Sequence, residues 1–531
     1  MKVRLGLLAA AFVAHAVWLR CVADDAYITF RFARNVAEGH GFVWNPGEPS
    51  LEGFTNFLWV VIGATAYRLG LDVPRVAQVL GVTAGVGTLL VSWKFARKVL
   101  GMSSGAAWLT TALIAAAGPL AAWASSGMET VFFTLWTTAA VYFASRFARS
   151  AALHDALLTA LTLFCATLTR PEGFGVAAIV LPAVWWLRPD QEKTRRVSAA
   201  LIATAVYLGA FAVYFAWRYA TFGYLLPNTF YAKTGGGLRQ SWRGLVYVSY
   251  FSLHFVLPWH PWIVLWAWRA AEERDNVQQR RWRGWFALRR EHAGTVIACA
   301  VVAGYTGYVV LVGGDYMAMY RFAVPVLPLL YLLLGLFAHH SVTGVEMTGG
   351  RRILLGGMGL LTASAILLQS TPVEQAVFAP TPRMHGTYRG VNVERWHVNR
   401  FHVIGQFFAE QMPDQSGSIL TYDIGVVGYI TRFDIYDVLG IVDPAIAHQP
   451  PPASMGRGLP GHEKQDLAYS YSRQPTFVMY TVQLRPAPGE WPRYPPDLDQ
   501  RVRAEYELKS AWLADAANRE EGYFTYLERK R

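Results

Sequence analysis

Residues 57–70, "FLWVVIGATAYRLG", decide how the rest of the chain is read. The stretch is apolar, yet it is shorter than the roughly 17–25 residues a helix uses to cross a bilayer. Trp59, Tyr67 and Arg68 are residue types that settle at headgroup level. The stretch therefore predicts a helix lying along the membrane surface. If it crossed instead, every later loop would change sides.

The chain has 531 residues, 53% hydrophobic and 14% aromatic, with only 16% charged, a balance typical of a polytopic membrane protein. Eleven apolar runs are long enough to be read as spans: 4–20, 76–93, 105–123, 130–146, 152–169, 173–187, 198–217, 245–268, 294–312, 322–338 and 353–370. With the N-terminus inside, the loops 94–98, 146–150, 188–196, 269–292 and 339–352 fall on the cytoplasmic side. These hold the dense basic clusters "WKFARK", "RPDQEKTRR" and "RRWRGWFALRR", as the positive-inside rule requires. The net charge of +12 is thus explained by the bilayer, and nucleic acid is not an expected partner. Lys2 and Arg4 before an apolar run also fit a signal peptide cut after Ala23, but Arg20 beside the cut argues against cleavage.

An odd number of spans puts residues 371–531 outside the cytoplasm, as a domain separate from the membrane part, 1–370. This tail turns polar and Pro-rich, and the short β-type runs "SILTYD", "FDIYDVLG" and "TFVMYTV" accompany a helical pattern at 398–412. The expectation is a polytopic α-helical membrane protein with a C-terminal α/β domain. Cys21, Cys165 and Cys299 are too scattered for a disulfide framework or a metal site.

All the polar motifs lie on the outer side: "CVADDAYITFR" (21–31), "EGHGFVWNPGEPSLEGFTNFLW" (38–59), "SSGMET" (125–130), "LTRPEGF" (168–174), "LLPNTFYAKTG" (225–235) and "VGGDYMAMYRFAVPVLPLL" (312–330). "YDIGVVGYITRFDIYDVLGIVDPAIA" (422–447) follows in the tail. Charges beside a membrane are costly unless they pair or face water, so Asp24, Asp25, Arg31 and Arg34 suggest a hydrated cavity; an ordinary solvated loop with local ion pairs is the plain alternative.

The ordered series, from Asp24 to about Ala447, resembles the bacterial GT-C glycosyltransferases of the AftB-like arabinofuranosyltransferase group, also labelled flagellar motor control proteins. The resemblance implies a polytopic enzyme that moves a sugar from a polyprenyl-phosphate carrier to a cell-envelope glycan or glycolipid on the extracytoplasmic side of the bacterial inner membrane. It also implies an acidic motif in the first outer loop, which Asp24 and Asp25 match in position and type. The tail is shorter than in mycobacterial members, so acceptor and pentose specificity are not carried over.

Such a transfer needs a base for the acceptor hydroxyl and cations for the departing phosphate. Asp25 or Asp24 is expected to be the base, with the other orienting it, the acceptor or an optional divalent ion; no cofactor is required. Arg31, Arg34, Lys233 and Arg321 are phosphate candidates by their donors, or membrane anchors by snorkelling. His40 and Asn228 join them as donor-site candidates, and Asp315, after Gly313-Gly314, as a contact for a sugar hydroxyl. Glu52, Arg170 and Glu172 are supporting candidates. Glu129 is expected to complete a capping box with Ser126. Trp44 and Trp59 are interface anchors, or platforms for a sugar ring. Alternatives from other classes are a transporter or flippase of lipid-linked sugars and a protein O-glycosyltransferase. No P-loop, dinucleotide fingerprint, zinc pattern or nucleophile elbow is present in a fitting context.

Overall fold

The computed structural model describes residues 2–187, 193–275, 292–343, 349–368, 390–414 and 416–530. Much of the expected basic loops 188–196 and 269–292, and the expected domain boundary near 370, lie outside the described residues.

Every apolar run falls on helix, but the helices are uneven. Val73–Lys98, Val197–Phe222, Ala293–Val312 and Ala318–Val342 are long and apolar enough to cross a membrane by themselves. Ser104–Ala116 and Gly118–Ala124 form a bent pair, 59° apart, that would make a fifth. Pro119 sits in the first turn after that break, where a missing N–H costs nothing. Pro258 similarly follows the end of Gly237–Phe255 and opens a short 3-10 turn before His260–Asp275. Shorter apolar helices, of 10–17 residues, include Val3–Trp18 and Leu153–Thr169. The helix on 57–70, Phe57–Arg68, has 12 residues. It turns Trp59, Val60, Gly63, Ala64 and Ala66 inward.

The segment after the first apolar helix is not a solvated loop. Asp24–Glu38 is a helix in which Ala26 through Asn35 are all buried. Gly39 ends it at φ 91°, a left-handed position that suits glycine, and His40 N–H closes back on Asn35 O at 2.9 Å. One neighbour of this helix is the C-terminal α/β region. There the strands β1 (Ser418–Thr421), β2 (Asp434–Asp437), β3 (Phe477–Met479), β4 (Tyr506–Asp515) and β5 (Glu520–Arg529) form one sheet in the order β2-β1-β3-β5-β4. β1 pairs in parallel with β2 and β3, whereas β5 is antiparallel to both β3 and β4. Phe408 of helix Asn392–Gln411 packs on Phe477, Phe524 and Tyr526 of the sheet.

What joins the two parts is the short helix Gly425–Ile430. Asp24 accepts hydrogen bonds from Gly425 N (3.1 Å) and Val426 N (2.8 Å) at its start. At its far end Arg31 donates through Nη1 to Gly428 O at 2.6 Å, and Arg34 donates to Tyr429 O and Thr431 O. The unsatisfied N–H groups at one end of the helix thus find a carboxyl and the carbonyls at the other end two arginines. Arg31 also donates to Trp44 O (2.9 Å), Asn45 Oδ1 (2.7 Å) and Phe433 O (3.0 Å), with its guanidinium 4.6 Å from the Trp44 ring centre. Such close approach requires Gly425, where a Cβ would come within 2.0 Å of Asp24 O.

Arg31→Met would leave those buried acceptors without a donor, at a cost of about 3 kcal/mol or more. Limited proteolysis and thermal unfolding in detergent should show an earlier release of the 390–530 region, only partly repaired by Arg31→Lys, which donates from one point.

Candidate active site

A cavity of about 210 Å3 opens between the helical part and the C-terminal region. Asp25 lines it from the start of its helix; Glu129, Arg170 and Glu172 come from the ends of apolar helices, and Ile441, Pro460 and Gly461 from the far end of the sequence.

Most of its charges hold one another. Arg170 is clasped between Glu129 (Nη1–Oε1 2.6 Å) and Glu172 (Nη2–Oε1 2.8 Å). Glu129 also accepts from Asn56 Nδ2 at 2.7 Å, and Glu172 from the Tyr308 hydroxyl at 3.0 Å. Arg243 pairs with Glu463 at 3.0 Å. Arg321 donates to Asp315 at 2.6 Å, while its Nη1 stands 3.6 Å from Asp25 Oδ2.

Two groups remain open. Asp25 is near enough to Arg321 for electrostatic attraction but not for a hydrogen bond, and among the described residues nothing donates a hydrogen bond to it. Its side chain is 20% exposed, so its lone pairs are free to take a proton. Lys233 lines the same cavity and has no carboxylate partner among the described residues.

Backbone strain places Arg321. Met319 (φ 55°, ψ 35°) and Tyr320 (φ 49°, ψ 53°) are both left-handed, a conformation costing of order 1–3 kcal/mol each without glycine. The surroundings enforce it: the Tyr320 hydroxyl is 2.7 Å from His254 Nδ1, and Trp123 Nε1 donates to Ala318 O at 3.0 Å. The double reversal returns Arg321 to Asp315. Gly313 and Gly314, at φ 88° and 70°, allow the turn, and a Cβ on Gly314 would meet Tyr247 at 2.7 Å.

Of the residues singled out in the sequence, Asp25, Glu129, Arg170, Glu172, Lys233, Asp315 and Arg321 meet at this cavity. Asp24, Arg31 and Arg34 are engaged in the clamp on Gly425–Ile430 instead. Glu52 is paired with Arg218, and Asn228 donates to Gly440 O and Ile441 O at 2.9 Å, steadying the wall rather than facing the space. His40 is exposed, 3.9 Å from Glu38. The capping box does not form, because Ser126 Oγ accepts from Met128 N and donates to Trp123 O, leaving Glu129 to Arg170. Trp44 and Trp59 are buried, with indole N–H groups on Ile435 O and Gly127 O, so neither anchors a membrane or stacks a sugar. Asp24 and Asp25 diverge, and among the described residues no three His, Cys, Asp or Glu side chains are arranged around a metal position. The sequence reading missed Tyr308, Tyr316 and Arg243; Tyr316 stands beside Asp315 in a motif already marked, whereas Tyr308 lies unannounced in an apolar run.

Residues 388–526 match a family model described as a domain of unknown function, DUF8728. A stretch of 264 residues is 27% identical to the terminal beta-(1->2)-arabinofuranosyltransferase of Mycobacterium tuberculosis (strain ATCC 25618 / H37Rv), covering 46% of this chain and 39% of that relative. The chain therefore matches well under half of that relative's length. Among solved structures, ArnT from Cupriavidus metallidurans superposes over 99% of this chain and 97% of its own, at 12% identity, with TM-scores of 0.58 in the apo state and 0.57 bound to undecaprenyl phosphate. The fold is that of the GT-C membrane glycosyltransferases. Arabinofuranosyltransferase AftD from mycobacteria matches all of this chain and 41% of its own, at 13% identity and TM-score 0.50. The family resemblance drawn from the ordered motifs agrees with these matches.

Burial, then Asp423, pushes Asp24 up to about 8. Burial and Asp25 push Asp423 up to about 6, and burial pushes Glu394, which accepts from Ala318 N, up to about 7. The native protein thus keeps protons that the unfolded chain releases near pH 4, so stability falls as pH rises between about 4 and 8. Thermal unfolding in detergent should show Tm declining from pH 5 to 9, with Asp24→Asn flattening the upper part of the decline; a Tm that climbs over this range contradicts the assignment.

Proposed function

We propose that this chain is an inverting glycosyltransferase of the bacterial inner membrane, taking a sugar from a polyprenyl-phosphate donor and adding it to a cell-envelope glycan or glycolipid. The observation that carries the proposal is one cavity, in a GT-C fold, that holds an unencumbered carboxylate, Asp25, and an unpaired ammonium, Lys233. Asp25 removes the proton from an acceptor hydroxyl. The resulting oxygen attacks the anomeric carbon from the side opposite the phosphate, and the bond from that carbon to the phosphate oxygen breaks. The leaving polyprenyl phosphate gains its countercharge from Lys233, a point charge suited to phosphate. Arg321, 3.6 Å away, orients Asp25. No step is routed through a cofactor.

The similar proteins support a lipid-phosphate donor and a sugar transfer: ArnT from Cupriavidus metallidurans is solved bound to undecaprenyl phosphate, and the 27% identical relative is named for transfer of arabinofuranose. The proposed topology keeps eleven crossings, with the shorter and bent helices completing the set, and places the cavity and the 371–531 domain on the extracytoplasmic side. The excess of Lys and Arg in alternate loops supports this orientation.

With a supplied lipid-phosphate sugar, Asp25→Asn should lower the transfer rate by about 10²-fold or more, the usual range for general-base removal, with donor binding preserved. Lys233→Met should instead raise the KM for the donor about tenfold, equivalent to ~1.4 kcal/mol. Full activity in Asp25→Asn overturns the base assignment. Membrane-impermeant thiol labelling should reach Arg493→Cys in intact cells; labelling only after lysis reverses the topology.

A further inference from the structure

The C-terminal region contains a second hollow, of about 150 Å3, which the transfer step does not use. Its place follows from the sheet. From β1 the chain moves to β2 on one side, then crosses to β3 on the other, so the order reverses between β1 and β3. Connections leaving in opposite directions open a crevice at the carboxyl ends of such strands, the usual ligand position in open α/β sheets. The hollow lies there: Leu420 and Val478 form its base, and Tyr422, Tyr471, Tyr480 and Tyr494 its walls.

The walls are fixed before any ligand arrives. The Tyr471 and Tyr494 hydroxyls bond to each other, Tyr480 donates to Glu490 O at 2.8 Å, and Tyr422 reaches Gln465 Oε1 at 3.4 Å. The half-buried Tyr422, Tyr480 and Tyr494 offer apolar ring faces with buried Tyr471 behind them, and each phenol oxygen can still accept a hydrogen bond. Arg493 lies at the exposed rim and has no carboxylate partner among the described residues. A space this small, beside the roughly 300–1,000 Å3 of drug-sized pockets, suits a single ring rather than a lipid tail or a peptide. Flat apolar faces edged by hydroxyls match a neutral sugar, whose C–H face is apolar and whose rim is polar.

The hollow is tied to the segment that carries the reacting group. Tyr422, in its wall, stands three residues before Gly425, whose N–H bonds Asp24 at 3.1 Å, and Asp25 follows Asp24 into the first cavity. We propose that this tyrosine-lined hollow is a carbohydrate subsite that holds one neutral sugar unit of the acceptor while its reacting hydroxyl reaches Asp25. Naming the ligand as the acceptor rests on the transferase reading; binding of a sugar does not.

The test uses the full chain in a detergent without a sugar headgroup and saturation-transfer NMR with the methyl glycosides of arabinofuranose, galactofuranose, mannose and glucose. At least one should bind, losing about tenfold or more in affinity in Tyr480→Ala and Tyr422→Ala and keeping most of it in Tyr480→Phe. Thermal unfolding establishes that the variants are folded. Binding of none of the four, or binding that survives both alanine variants, overturns the subsite. Binding that behaves as expected in a protein with no transferase activity upholds the subsite while refuting the proposed reaction. In a working transfer assay, Tyr480→Ala should raise the acceptor KM about tenfold with kcat little changed.

Discussion

The structure depends on a match between two helices far apart in sequence. Asp24, Arg31 and Arg34 lie along one face of a buried helix, and they satisfy the two ends of Gly425–Ile430: the Asp24 carboxyl takes its first N–H groups and the two arginines its last carbonyls. Arg31, 1% exposed, is satisfied by main-chain and amide oxygens alone. A buried cation without a carboxylate is tolerable only where its donors are used, so the contact is specific as well as strong. It holds the C-terminal region against the helical part, and the cavity lies where the two meet.

Adjacent acids therefore have different work. On a helix they point about 100° apart, and here that separation sends Asp24 to the clamp and Asp25 to the cavity. The same economy governs the cations. Arg170, Arg243 and Arg321 are each held by a glutamate or aspartate, which fixes the cavity's shape, and Lys233 supplies the uncommitted charge.

Local pattern was enough for the helices and for the three parallel strands, since "SILTYD", "FDIYDVLG" and "TFVMYTV" became β1, β2 and β3. The β4–β5 hairpin carries an alternating pattern in "YELKSAWLAD" that the sequence reading passed over. Charges at the ends of apolar runs include most of the charged residues that line the cavity, because water-facing space is where such charges are affordable. What stayed hidden were partners hundreds of residues away: nothing near Arg31 announces Gly428, and nothing near Trp44 announces Ile435. Membrane-anchor chemistry and core chemistry use the same tryptophan, so only the fold distinguishes them.

Because Ile441, Pro460 and Gly461 form part of the wall around Asp25, an early part of the chain waits during synthesis for a much later one. A nascent chain already inserted in the bilayer has its carboxylate but neither the clamp partner nor the enclosing wall. On the proposed reading, the site for a lipid-phosphate donor thus exists only once the C-terminal region has docked, and the carrier is kept from meeting a half-built, water-filled cavity.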